Sequence, residues 1–243
     1  MISSMMESNS TSILWFRRDL RLLDNHALDW VCENSDTVLP VYILADEEHW
    51  PMGAASRWWL HNSLQQLEKQ LRSAGLELHF YKGDSQQVLR SLVKQAGATD
   101  LVFNKVYEPE IYHRDNVLIK KLNNSVAVHT FDSGLFTVPG EVLNKQQLPY
   151  RVFTPFYNKI RPMLDNQQEQ QSGLYQTAPV ESLKVLKSVV LEDNDDLSAL
   201  RLLDENGWHE KLRHYWQPGE KHAGALVEAF IGNALHGYQV DRD

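Results

Sequence analysis

The stretch "ILWFRRDLRLLDNHALDW", residues 13–30, places a run of charged residues directly after a run of apolar ones. The first four residues, Ile13 to Phe16, predict a buried strand, because an apolar run without polar alternation is typical of a strand covered on both faces. The charged residues that follow it are Arg17, Arg18, Asp19, Arg21 and Asp24. They could form a catalytic site, a phosphate-binding site or a structural clamp.

The composition is that of a soluble globular protein. Apolar residues make up 42% and charged residues 23% of the 243 residues, and no window approaches the roughly 18 apolar residues that a membrane span needs. Residues 1–11 are polar, lack the layout of a secretory signal and predict a disordered leader. Cys32 is the only cysteine, which excludes an intrachain disulfide and favours a cytoplasmic location.

The net charge of −8 argues against strong nucleic-acid binding by the chain as a whole. Affinity for a phosphate backbone grows with the number of Lys and Arg contacts, and a basic footprint is usually visible in the sequence. A local basic patch would have to act against the overall field.

Short apolar runs alternate with stretches of helical spacing over the first half of the chain. Helices are predicted over 25–33, capped by Asp24 or Asn25, over 54–74, over 84–96 with Asp84 as its cap, and over 109–122 from Pro109. Strands separated by helices indicate a parallel sheet. Residues 12–133 therefore predict an α/β domain with a doubly wound, five-stranded parallel sheet of Rossmann-like topology. The apolar runs that give the strands are 12–16, 37–44, 76–81, 101–106 and 126–131.

The alternation of apolar runs and helical spacing ends after residue 133. We predict an interdomain segment and linker over 134–195, with the Gln-rich stretch 165–182 as the linker itself. Residues 196–243 predict the first helices of an incomplete all-α domain. Its helix at 223–240 carries an apolar stripe for which the remaining sequence offers no partner.

The sequence contains neither a phosphate-binding glycine loop nor a nucleophile elbow, so we assign no catalytic residue. The histidines show no metal-ligand spacing, and we expect His49, His61 and His79 at the surface or half-buried, with no metal site. In an open α/β sheet, ligands bind at the carboxyl ends of the strands, which directs attention to three loops. These loops are 17–24, 45–53 and 104–111.

Trp58 and Trp59, near the start of a predicted helix, could stack on a planar chromophore. Core packing is the favoured interpretation, because the leucine stripe on the same helix already marks it as a packed element.

Several motifs in a fixed order resemble the N-terminal half of DNA photolyases and cryptochromes. The similarity is collinear from residue 12 to the end, and so many ordered motifs are far more specific than any one of them. The matching stretches are "LWFRRDLRLLDNHAL" (14–28), "LPVYIL" (39–44), "GAASRWWLHNSLQQL" (53–67), "FNKVYEP" (103–109), "VFTPF" (152–156), "GWHEKLRHYWQPGEKHAGALVEAF" (207–230) and "YQVDRD" (238–243).

The resemblance favours a clamp for the charged segment after the first strand. In that family the arginines and aspartates pair around the strand-to-helix turn, and we predict the same for Arg17, Arg18, Asp19, Arg21 and Asp24. The residue types themselves also favour a clamp, because buried charges that are left unpaired cost several kcal/mol.

The resemblance also implies cofactors. In the family an antenna pigment, a folate or a deazaflavin, absorbs light and passes the excitation to FAD in a helical domain, which then splits a cyclobutane pyrimidine dimer in DNA. The positions that match antenna contacts are Trp50, Met52, Glu110 and Ile111. Glu110 and Ile111 replace an Asn-Glu pair associated with folate, so the choice of pigment stays open. Tyr238 matches a tyrosine that contacts FAD, although it also continues the apolar stripe, and Arg242 matches an arginine that contacts DNA.

Three functions follow as expectations. The first is the antenna domain of a deoxyribodipyrimidine photolyase whose FAD-binding helical half is absent, so that this chain alone neither retains FAD nor repairs DNA. The second is part of a cryptochrome-type blue-light receptor. The third is a stand-alone module for a nucleotide-like ligand or a partner, with the helix at 223–240 covered by self-association or by docking on the α/β domain. A helical FAD-binding half on a separate chain is a further expected partner.

Overall fold

The computed structural model describes residues 10–45, 52–132, 135, 137–171, 180–191, 195–203 and 207–238. Residues 1–9 of the predicted leader at 1–11 and residues 46–51 of the loop at 45–53 lie outside these residues, whereas Thr11, predicted as part of the leader, begins the first strand. The strands are β1 Thr11–Phe16, β2 Thr37–Ala45, β3 His79–Gly83, β4 Asp100–Asn104, β5 Ala127–Phe131 and β6 Lys187–Ser188. The helices are α1 His26–Asn34, α2 Ala54–Ser73, α3 Ser85–Ala96, α4 Pro109–Leu122, α5 Phe153–Gln171, α6 Val180–Leu183 and α7 Glu220–Ala229, with 3₁₀ turns at Leu197–Leu200, Trp208–His214 and Leu235–Gly237.

The sheet confirms the predicted fold class. Five parallel strands lie in the order β3-β2-β1-β4-β5, so the chain reverses direction beside β1, and the short β6 adds to β2. The third strand begins at His79 rather than at residue 76, and the fourth ends at Asn104 rather than at residue 106. The loops after β1 and β4 therefore leave the same edge next to each other, as expected for a topological switch point.

Alternate residues of β1 enter two separate cores, one on each face of the sheet. Leu14 and Phe16 pack with α1 and α2, whereas Ile13 and Trp15 pack with α3 and α4. Successive side chains of a strand point to opposite faces, and the apolar run in β1 is continuous because both faces are covered by helices.

The helix starts follow the predicted capping residues. The side chain of Asn25, one of the two predicted caps, accepts a hydrogen bond from the Leu28 backbone N–H, and that of Asp84 accepts one from Gln87. Pro109 occupies the first turn of α4, where its missing N–H costs nothing.

The two adjacent tryptophans have different environments. Trp58 is 2% exposed and belongs to the buried face of α2, whereas Trp59 is 44% exposed. Core packing is thus confirmed for Trp58 only. A helix turns by about 100° per residue, so the two side chains point in different directions, and here that of Trp58 points into the core.

The segment after β5 returns to the α/β unit. The helix α5 extends to Gln171, into the stretch that was predicted as a linker, and residues 172–179 lie outside the described part. The domain boundaries at 133/134 and 195/196 stay predictions. The structure nevertheless places side chains from both later segments in the core that covers α1 and α2. These are Leu183, Leu186, Leu197, Leu200 and Leu202.

The predicted helix at 223–240 begins earlier and is not continuous. Glu220–Ala229 is α-helical, a π-helical turn follows at Phe230–Ala234, and residues 239–240 are outside the described part. Within the described residues the apolar stripe is exposed: Leu226, Val227 and Ile231 are 55–57% exposed and Phe230 is 40% exposed.

His79 differs from the expectation, because it is fully buried. Its Nε2 lies 3.0 Å from the Val189 carbonyl oxygen, so that nitrogen carries the proton and donates a hydrogen bond.

Half-buried Cys32 lies on α1, where burial first, and then the charges of Asp29 and Glu33, raise the pKa of its thiol to about 11. Among the described residues no helix is long and apolar enough to cross a membrane, and no cluster of His, Cys, Asp and Glu could hold a metal ion.

Candidate functional site: a cleft at the carboxyl edge of the sheet

The charged segment after β1 pairs mostly with residues from distant parts of the chain. The Arg17 guanidinium donates to the Asp115 carboxylate on α4 and to the Asn104 carbonyl at the end of β4. Arg18 pairs with Glu108, and Arg21 pairs with Asp24. Among the ion pairs of the described residues, Arg21–Asp24 lies within the segment, whereas those of Arg17 and Arg18 reach α4 and the residue before it.

Asn104 connects these loops and was not singled out from the sequence. Its side-chain amide donates to the carboxylate of Asp19 and to Oδ1 of Asn25, at 2.7 Å, and its own Oδ1 accepts the Ala27 N–H at 3.2 Å. The Asp19 carboxylate also accepts the backbone N–H of Arg17. One amide at the end of β4 thus holds both the turn after β1 and the start of α1.

Asp115 is the second residue that the sequence reasoning missed. It lies on the buried stripe of α4, between Ile111 and Leu118. A carboxylate at an apolar position of an amphipathic helix was the available signal, because a buried charge requires a partner.

Arg17 is almost completely buried, and its environment is partly aromatic. Burial lowers the pKa of the Arg17 guanidinium, while the nearby Asp115 carboxylate opposes that shift. The guanidinium carbon lies 4.8 Å from the ring centroid of Trp15 and 4.7 Å from that of Phe103, distances at which cation–π attraction contributes. The segment is therefore anchored by one buried, aromatic-flanked arginine.

A cleft of about 1150 Å³ opens above this anchored segment. Its floor is formed by residues at the carboxyl ends of β1, β2 and β4, including Arg17, Ala45 and Val106. Its walls come from α2 and from the face of α7 that carries Ala223 and Val227. The three loops that the sequence analysis selected meet at this cleft.

The start of α7 is fixed to the rest of the domain by Glu220. The Glu220 carboxylate accepts the backbone N–H groups of Leu22, at 2.9 Å, and Leu23, at 2.6 Å. Gly219, with φ of +118°, lets α7 approach α2, since a Cβ there would lie 2.9 Å from Cγ of Gln66. α7 is thus positioned as one wall of the cleft.

The cleft is aromatic and has unsatisfied donors. Trp15, Tyr42 and Trp59 line it. Nε1 of Trp15 and Nε of Arg17 are buried and have no hydrogen-bond partner among the described residues. Aromatic walls with a few polar groups suit a planar heterocyclic ligand. The sequence predicted no catalytic residue, and that expectation stays a prediction.

The structure brings two of the predicted antenna residues together. Met52, just before α2, and Ile111, on α4, both line the cleft. Glu110 is exposed on the first turn of α4 and is not part of the lining, and Trp50 lies outside the described residues.

The residue matched to FAD, Tyr238, is not among the described residues that line this cleft. Tyr238 is 50% exposed and contacts the Phe230 ring edge-on at 5.7 Å, and Arg242 lies outside the described residues.

Comparison with known proteins identifies the family. A family model described as DNA photolyase matches residues 12–174. The deoxyribodipyrimidine photo-lyase of Agrobacterium fabrum is 36% identical over 95% of this chain, and Cryptochrome-1 of Arabidopsis thaliana is 33% identical over 97%. A crystal structure of a bacterial class III photolyase from Agrobacterium tumefaciens matches 98% of this chain with a TM-score of 0.81 at 34% identity.

The chain spans about half or less of these relatives: 47% of the photo-lyase, 34% of the cryptochrome and 48% of the solved photolyase chain. The similarity covers nearly the whole chain and includes both the sheet and the segment that forms the cleft. The chain belongs to the DNA photolyase and cryptochrome family.

Proposed function

We propose that this chain provides the antenna-pigment site of a deoxyribodipyrimidine photolyase, an enzyme that uses light to repair cyclobutane pyrimidine dimers in DNA. The observation that carries the proposal is the aromatic cleft at the switch point of the sheet. Photolyases and cryptochromes bind FAD and an antenna chromophore. The cleft, of about 1150 Å³, is larger than the neighbouring cavity of about 690 Å³ between α2 and α7.

The residues of the cleft fit such a pigment in size and chemistry. The volume of about 1150 Å³ is slightly above the roughly 300–1,000 Å³ that ligand pockets occupy, so the cleft has room for a pigment. Trp59 offers a partly exposed ring for stacking. The buried Trp15 N–H offers a donor that lacks an acceptor among the described residues.

A bound folate or deazaflavin would supply the absorption of near-ultraviolet or blue light. The chain's own residues would orient the ring between Trp59 and the wall formed by α7, and Met52 and Ile111 would exclude water from it. Trp50 and Glu110 complete the proposed contacts, on the resemblance alone. Because Arg17, Arg18 and Arg21 are each paired with a carboxylate, they shape the cleft rather than attract an anion.

The repair chemistry itself is proposed for the helical part of the family. Tyr238 is the proposed FAD contact and Arg242 the proposed DNA contact. We expect this chain alone neither to retain FAD nor to repair DNA. We propose a cytoplasmic setting and a helical FAD-binding half as its partner. A cryptochrome-type light receptor is the second candidate, favoured by the 33% identity to a plant cryptochrome.

A matched pair of substitutions on α7 tests the pigment site. Ala223 lines the cleft and Ala225 does not, yet both are exposed and lie on the same helix. Methenyltetrahydrofolate and a deazaflavin are titrated into the chain and followed by absorption and fluorescence. We expect one of them to bind the wild type and Ala225→Trp, and to bind Ala223→Trp at least about tenfold more weakly, because the added indole fills the cleft.

Two results would contradict the proposal. One is that neither pigment binds the wild-type chain. The other is that both variants bind the pigment as the wild type does, which would place the pigment elsewhere.

A further inference from the structure

A second cavity, of about 690 Å³, lies on the other side of the contact between α2 and α7. On α7 the first cleft is lined by 220, 223, 224 and 227, whereas this cavity is lined by 221, 222 and 225. On α2 it is lined by Trp58, Asn62, Gln66 and Lys69, again a face different from that of Trp59 and Ser63. Gly219, the N-cap of α7, lines both cavities, and beyond it helical spacing puts their lining residues on different faces of α2 and α7.

The second cavity is lined by positive charge. Lys69, Arg213 and Lys221 contribute cations and His222 an imidazole, and no carboxylate is among the lining residues that the structure describes. Two carboxylates on the same elements border the cavity. Glu220 accepts the Leu22 and Leu23 N–H groups and, at 3.3 Å, the side-chain N–H of the lining residue Gln70. Glu210 lies 3.4 Å from the lining residue Arg213, so Lys69 and Lys221 carry the main argument for an anion. Such a concentration of cations in a chain of net charge −8 favours an anionic ligand.

The beginning of α7 adds backbone donors to the same cavity. Gly219 is the N-cap and supplies no side-chain hydrogen bond, and the Glu220 carboxylate is directed to the loop after β1. The first N–H groups of a helix have no partner within it and attract negative charge. Gly219, Lys221 and His222 line the cavity, so the helix start faces it.

Two tryptophans give the cavity an aromatic side. Trp216 is 57% exposed, with its ring 6.1 Å from that of Trp59, and presents a face for stacking. Trp58 is 2% exposed, yet its Nε1–H has no hydrogen-bond acceptor among the described residues. A buried donor without an acceptor costs free energy, and an acceptor atom on a ligand in this cavity would relieve that cost.

We propose that this second cavity binds a nucleotide, with its base stacked on Trp216 and its phosphate held by Lys69, Lys221 and the start of α7. The cavity volume suits a ligand of that size. Base stacking on an aromatic side chain and a phosphate at a helix N-terminus are the two interactions that the cavity offers. The site lies beside the pigment cleft and shares Gly219 with it.

Calorimetric titration of the full chain with three probes tests the two halves of the site separately. AMP carries a ring and a phosphate, adenosine only the ring, and inorganic phosphate only the anion. We expect AMP to bind at least about tenfold more tightly than either of the others, because it alone uses both interactions. Trp216→Ala should weaken the binding of AMP and of adenosine. The double variant Lys69→Gln/Lys221→Gln should weaken the binding of AMP and of phosphate but not that of adenosine.

Controls make the test specific to this cavity. Ala225→Trp should weaken AMP binding about tenfold or more, whereas Ala223→Trp, which fills the pigment cleft, should leave it unchanged. Lys120→Gln removes an exposed lysine on α4 and should have no effect. This pattern is the inverse of that expected for the pigment, so either proposal can fail while the other holds.

Three outcomes would overturn the nucleotide site. AMP does not bind, AMP binds no more tightly than phosphate, or Ala225→Trp binds AMP as the wild type does. An eight-nucleotide single strand that displaces AMP and binds more tightly would assign the cavity to a strand instead of a free nucleotide.

Discussion

The ion pair between Arg17 and Asp115 joins the loop after β1 to the middle of α4. Both side chains are about 6–7% exposed. Burying two charges costs several kcal/mol, which their attraction and additional hydrogen bonds must offset. Here the Asn104 carbonyl and the rings of Trp15 and Phe103 complete the surroundings of the guanidinium. The pair therefore determines the shape of the cleft floor.

Removing the carboxylate should destabilise the protein strongly. We expect Asp115→Ala to lower the free energy of unfolding by about 3–5 kcal/mol, because it leaves the Arg17 charge buried without its main partner. Urea denaturation followed by circular dichroism measures the change. Glu108→Ala is the control: its pair with Arg18 is about half exposed and should contribute less than about 1 kcal/mol. Equal effects of the two substitutions would contradict this account.

His79 should make stability depend on pH. Burial lowers the pKa of its imidazole below the ordinary 6.5, outweighing the opposing effects of Glu77 and the Val189 carbonyl. The unfolded chain therefore binds the proton more readily than the folded one. The contribution of the neutral imidazole is complete above pH of about 6.5 and is lost as the pH falls below that value.

His79→Gln removes this titration and provides the measurement. The wild type should lose more stability than the variant between pH 7.5 and pH 5.5, as judged by urea midpoints. The comparison with the variant is needed because burial also lowers the pKa of His61, which acts in the same direction. A variant with the same pH dependence as the wild type would show that His79 does not carry it.

At the scale of the elements, α6 and β6 return the chain to the sheet. β6 pairs with β2 at Thr37 and Val38, and the Val189 carbonyl beside it accepts a hydrogen bond from Nε2 of His79. Leu183 at the end of α6 is fully buried in the core with α1 and α2. The segment is part of the domain's core although it follows a polar stretch.

Truncation of Leu183 should therefore act like a core substitution. Leu183→Ala is expected to lower the free energy of unfolding by about 2–5 kcal/mol, through lost burial and the cavity it leaves. Val185→Ala, two residues away and 82% exposed, should change it by no more than about 0.5 kcal/mol. Thermal or urea unfolding of the two variants distinguishes a core element from a linker. In a linker, neither substitution would change the free energy of unfolding.

The elements that could be predicted are those with local signals. A leucine stripe gave α2, the caps Asn25 and Asp84 gave the starts of α1 and α3, and continuous apolar runs gave the five parallel strands. β6 has two residues and no periodicity, so nothing local distinguishes it. The partners of Arg17 lie 87 and 98 positions away, and a single sequence does not contain such pairings. The second cavity likewise forms only when α2 and α7 meet.

At the scale of the whole molecule, stability is distributed unevenly. The strands β1, β2 and β4 are almost entirely buried, whereas the described side chains of α7 and of the turns up to Tyr238 include none that is buried. The Glu220 carboxylate and the contact between Trp59 and Trp216 attach this end of the chain to the rest. Both proposed ligand sites use α7 as a wall, so its attachment bears directly on function.

Amide hydrogen exchange should resolve two levels of protection. We expect the amides of β1, β2 and β4 to exchange only through global unfolding, and those of 220–238 to exchange at least about a hundredfold faster through local opening. Glu220→Ala should accelerate exchange in α7 and at Leu22 and Leu23 together, since the same carboxylate holds both. Glu228→Ala, exposed on the same helix, should leave Leu22 and Leu23 unchanged. If 220–238 were instead as protected as the sheet, the exposed stripe from Leu226 to Ile231 would have to be covered in solution, and sedimentation at several concentrations would then show a second copy of the chain.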